Sequence, residues 1–144
     1  MNTSHDIHRE AMEFAKKANE YLSKGNNIEY LNFTIQAFER EKQAAESLFS
    51  KRNAEPTRSV LYRSAATLAF NCSKYEESKK LIYCALSGSP HLEIEKELEE
   101  LLEKVKKKIS SKLSEIELKK TQVSIPIDVS ANPIKNPFVI QSLK

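Results

Sequence analysis

The chain has 144 residues with 23 basic against 20 acidic side chains, a formal net charge of +3, and this is one domain's worth of chain, long enough to bury a core. Leu, Glu, Lys, Ala and Ser dominate and only two glycines occur, so helix is expected for most of it. The charge is spread, its largest local excess falling in residues 56–90, which argues against the concentrated basic stripe of a nucleic-acid binder. No apolar run approaches the ~20 residues that span a bilayer.

The first helix is predicted over Ser4–Ser23. Thr3 and Asp6 have capping-box spacing, and Ile7, Ala11, Phe14, Ala15, Ala18, Tyr21 and Leu22 share one face. Gly25 suits a left-handed helix end, and Asn26 or Asn27 caps the next helix. That second helix is expected to run unbroken from Ile28 to about Lys51, with the polar middle EREKQAAES exposed on one side. KRNAEP is a turn, and Pro56 opens a third helix that reaches about Asn71. Ser73 and Glu76 read as a second capping box, opening a fourth helix that Gly88 ends. Ser89 and Pro90 begin a fifth, a charged rod to about Lys120 in which eight acids and eight bases are interleaved. It reads as a capping helix laid on the fourth, or in its second half as one strand of a coiled coil.

From Thr121 the character changes. VSIPIDV alternates like a strand, which Pro126 restricts to an edge. The expected organisation is therefore a helical domain over 1–120 and an extended apolar tail over 121–144. Val123, Ile125, Ile127, Val129, Phe138 and Ile140 are its candidate docking residues. Three readings are open: they cover the protein's own helices, they add as a strand or anchor in a partner, or the segment is a plain disordered tail.

Residues 59–92 resemble a tetratricopeptide repeat, the helix–turn–helix unit of roughly 34 residues. The resemblance rests on Tyr62, Ala66, Tyr75, Ser78, Ala85 and Pro90. Small residues let paired helices approach, and aromatics fill the gap to the next repeat. A second copy over residues 11–44 places Phe14, Ala18, Tyr21, Gly25 and Ala37 in matching roles. What the resemblance implies is an all-α fold of two irregular repeats, a capping helix and a groove that takes a protein or peptide partner. The groove would be lined by Arg63, Thr67, Phe70 and Asn71 of the third helix and by Met12, Asn19 and Leu22 of the first. Arg63 and Asn71, two turns apart, could hold a carboxylate.

Other chemistry is sparse. No glycine-rich phosphate loop, nucleophile elbow or HExxH occurs, so neither an enzyme nor a cofactor is expected. His5 and His8 have a spacing that can chelate a metal but read as ordinary surface histidines. Cys72 and Cys84 fall on successive helices about 15 Å apart, beyond the ~7 Å reach of a disulfide. With acids and histidines where a signal peptide needs an apolar core, the expectation is a cytoplasmic adaptor or regulatory subunit with no membrane partner. A self-assembling structural protein, dimerising through the fifth helix or an exchanged tail, is the alternative. A nucleic-acid accessory factor using Arg58, Arg63, Lys74, Lys79 and Lys80 comes third.

Overall fold

A computed structural model describes residues 2–124, the side chains of 121–124 excepted. The described chain is all helical: α1 (Ser4–Ser23), α2 (Asn27–Glu46), α3 (Thr57–Asn71), α4 (Tyr75–Leu86) and α5 (Leu92–Ser124). It divides into two units, residues 1–107 and 108–144. In the first, α1 packs on α2, α2 on α3 and α3 on α4.

The start of α1 follows its sequence closely. Thr3 Oγ1 accepts the Asp6 backbone N–H at 3.2 Å, and the Asp6 carboxylate accepts the Thr3 N–H at 3.2 Å. That second bond, with the Thr3 hydroxyl, holds the Asp6 carboxyl below its usual range. At the other end Gly25 takes φ +76°. Its N–H bonds Leu22 O and the Asn26 N–H bonds Tyr21 O, the paired closure of a Schellman turn. Asn26 is the cap of α2, its side chain accepting from the Glu29 N–H at 3.1 Å.

Three boundaries differ from expectation. α2 stops at Glu46, about a turn before Lys51. The chain tightens into i→i+3 bonds over Leu48, Phe49 and Lys51, while the Ser47 hydroxyl donates to Ala44 O and Arg58 Nε to Phe49 O. Those freed carbonyls need no further helix. Ser73 does not cap α4. It takes φ +64° as the left-handed residue that closes α3, with Ser73 N–H on Phe70 O and Lys74 N–H on Ala69 O. Lys74 occupies the cap position of α4 and makes no side-chain cap bond. The two hairpins thus share one turn geometry, with glycine in the first and serine in the second. Finally, α5 begins at Leu92, two residues after Pro90, and continues through Val123 to Ser124, so the strand-like reading of its last residues is overturned there. No breaker precedes Pro126, which disfavours helix only at the residue before it. Ile125, Ile127, Val129, Phe138 and Ile140 lie outside the described residues.

Small side chains set the α3–α4 spacing. Ala65, Ala66, Ala69, Ser78 and Ala85 are fully buried, and Ser78 Oγ donates to Ala66 O at 2.8 Å. That bond places Ala66 at the helix crossing, with Tyr62, 1 % exposed, one turn away. Leu98 and Val105 of α5 complete the buried apolar set.

Candidate functional site

α3 and the first part of α5 meet where the Arg63 guanidinium on one donates to the Glu97 carboxylate on the other. Thr67, one turn along α3, turns its hydroxyl inward to Arg63 O at 2.9 Å. Between the helices lies a cleft of about 270 Å³ lined by Arg63, Thr67, Glu97, Glu100, Leu101 and Lys104. A second, shallower hollow of about 470 Å³ follows α1 past Met12, Ala15, Lys16, Asn19, Glu20 and Ser23. The expected groove residues are therefore divided. Arg63 and Thr67 share one cleft and Asn19 lines the other. Phe70 stands edge-on against Tyr75 with ring centroids 5.5 Å apart, and Asn71 is exposed at the end of α3. Leu22 is also exposed, outside both linings.

Sequence reasoning missed the α5 wall of the cleft. Reading the fifth helix as a cap hid that Glu97 stands 34 residues after Arg63. The same interval recurs. Lys42 Nζ donates to Glu77 at 2.9 Å, 35 residues on. Arg52 donates to Ser87 O at 2.7 Å, also 35 on, and the Ser89 N–H donates to Glu55 at 3.3 Å across 34. Side chains in α2, in the loop after it and in α3 each reach a position one such interval ahead.

Two charges are buried where surface residues were expected. Glu41, within the polar stretch read as exposed on one side, has no solvent exposure and receives His8 Nδ1 at 2.8 and 2.9 Å. Glu10 is engaged by Arg40 at 3.5 Å and Asp6 by Thr3. Among the described residues no group of three or more His, Cys, Asp or Glu is placed to hold a metal ion.

The other buried charge is Arg58, also fully enclosed. Its Nε donates to Phe49 O at 3.0 Å, and its guanidinium lies 5.4 Å from the Phe49 ring and 5.2 Å from the Tyr62 ring. Glu55 Oε2 is 3.9 Å away, while Nη1 and Nη2 have no hydrogen-bond acceptor among the described residues. Gly88 closes over this group, with room for no side chain. Arg58 is thereby removed from any nucleic-acid surface, and Arg63 and Lys79 are paired with Glu97 and Glu76. Burial also pushes the Tyr62 phenol up to about 12 and raises the thiols of Cys84 and Cys72, both free. Such raised thiols are poor nucleophiles at neutral pH.

Compared with known protein families, curated proteins and solved structures, the chain matches none.

Proposed function

We propose that this chain is a tetratricopeptide-like interaction module of the cytoplasm, a small adaptor or regulatory subunit that holds an extended segment of another protein in the cleft between α3 and α5. The observation that carries the reading is the interval of 34 to 35 residues linking Lys42 to Glu77, Arg52 to Ser87, Glu55 to Ser89 and Arg63 to Glu97. A stack of helical hairpins with a period of roughly 34 residues brings equivalent positions of neighbouring repeats together in this way. In such a stack the first helix of each repeat lines one concave face, the role that α3 and α5 would share.

The cleft suits a peptide better than a small molecule. It is open, and its charges come as both signs: Arg63 and Lys104 against Glu97 and Glu100. A bound backbone could take hydrogen bonds from these groups while Leu101 offers apolar contact. The test is to use the full chain as bait and to compare it with Thr67→Arg, which fills the cleft from an exposed position, and with residues 1–124. A partner kept by the parent and by 1–124 but lost by Thr67→Arg supports the cleft. A partner indifferent to Thr67→Arg refutes it, and one lost only with residues 125–144 moves recognition to that segment.

A further inference from the structure

α5 changes chemistry along its length. From Leu92 to Glu103 six glutamates stand against one lysine, whereas from Lys104 to Lys120 seven lysines stand against two glutamates. The charges that look interleaved over the whole helix thus separate into an acidic and a basic half. In the basic half, Ile109, Leu113 and Ile116 fall within an arc of about 60° at 100° per residue. Leu113 is 59 % and Ile116 48 % exposed. Lys108, Lys112 and Lys119 line one edge of this stripe and Lys120 continues it, with Glu117 on the other edge. Ser111, Ser114 and the exposed Leu118 occupy the far side.

We propose that residues 108–120 form a surface-seeking amphipathic helix whose apolar stripe and lysines dock on an anionic lipid surface such as one containing phosphatidylserine. Charge decides against a second copy. Paired antiparallel, this stripe sets lysine-rich edges of the same sign beside each other, which costs rather than contributes, and paired parallel it sets one glutamate, Glu117, against three lysines. Size decides against an acidic protein. Three aliphatic side chains fall far short of the roughly 800 Å² per partner that a stable protein interface buries. A lipid surface needs no matching contour: the stripe sinks to the headgroup level, the lysine stems lie along it, and each ammonium meets a negative headgroup. No helix among the described residues is long and apolar enough to cross a membrane. The association would therefore be peripheral, reversible and sensitive to salt, since charges at a surface are screened within about 8 Å at physiological ionic strength.

The experiment is flotation of the full chain with vesicles of phosphatidylcholine alone or mixed with phosphatidylserine, at low and high salt. The expected result is recovery with the anionic vesicles only and release by salt. Leu113→Ser with Ile116→Ser, and separately Lys112→Glu with Lys119→Glu, should each lower the bound fraction roughly tenfold or more. All four positions are exposed, so circular dichroism should show unchanged helix. Thr67→Arg should bind vesicles like the parent, which separates this surface from the cleft. Equal recovery on both vesicle types, or stripe variants that bind like the parent, would overturn the proposal. So would a dimer in solution that Leu113→Ser dissociates.

Discussion

Gly88→Ala is the sharpest probe of how this core is closed. A Cβ built on Gly88 would stand 2.5 Å from Arg58 Nη1, 2.9 Å from Glu55 Oε2 and 3.3 Å from Arg58 Cζ. The tip of an arginine normally swings aside at little cost, but this one has no exposed surface, is tethered through Nε to Phe49 O and lies beside the rings of Phe49 and Tyr62. Overpacking a closed site typically costs about 1–3 kcal/mol, and replacing glycine where φ is ordinary returns roughly 0.4–1 through the unfolded chain. The net expectation is a loss of about 1–2 kcal/mol in urea unfolding. The same substitution should cost clearly less in an Arg58→Met background, where two of the three obstructing atoms are gone and only Glu55 Oε2 remains. Arg58→Met itself should be close to neutral, because a buried charge with two unpartnered nitrogens gives up desolvation cost as well as contacts. Gly88→Ala as stable as the parent, or equally damaging in both backgrounds, would refute this account.

Four further outcomes follow from particular contacts. Ser73→Gly should stabilise by about 0.5–1 kcal/mol, since a non-glycine residue at positive φ carries strain that exceeds the entropic cost of glycine; thermal unfolding reads it. Ala66→Leu should lose about 1–3 kcal/mol at the α3–α4 crossing, and an unchanged melting temperature would end the close-packing argument. His8→Ala strands the enclosed Glu41 carboxylate, and with His8 one-third exposed the loss should be about 1–3 kcal/mol, measured by urea denaturation against Glu41→Gln. Tyr62 favours its neutral form in the fold, so its contribution is complete below pH 10 and is lost as pH rises towards about 12. In an absorbance titration one of the five tyrosines should ionise late, coincident with alkaline unfolding, and Tyr62→Phe should remove that step.

The helices and their closest approach were legible because each has a local cause. The Thr3–Asp6 box, Gly25 and the alanines around Ala66 act within a few residues of themselves. Ser73 misled because Ser-x-x-Glu satisfies the capping-box pattern equally well when the serine belongs to the preceding turn. Whether it caps or closes depends on how far α3 extends. Glu41 and Arg58 carried a readable signal that residue type overrode. Glu41 falls in the buried series Thr34, Ala37, Phe38, Ala44, Ala45, and Arg58 in the series Leu61, Tyr62, Ala65, Ala69. A lone charge on an apolar stripe is evidence of a buried pair or a tight enclosure. The α5 wall of the cleft was the least accessible, since no short-range pattern relates Glu97 to Arg63.

α3 is the helix most enclosed by its neighbours, and this bears on which amides exchange with solvent and when. Seven of its fifteen residues are buried against three of the twenty in α1. In a stack held by nearest-neighbour contacts, opening starts at the ends and reaches the middle last. Deuterium should therefore enter α1 early and α3 only through global unfolding. Arg63 and Thr67 then stand on the slowest-exchanging part of the molecule and Asn19 on one of the fastest. A ligand that touched both would slow exchange in α3 by its full binding free energy, since global unfolding releases it, and in α1 by at most as much. It would register in α1 first, because exchange there is seen earliest.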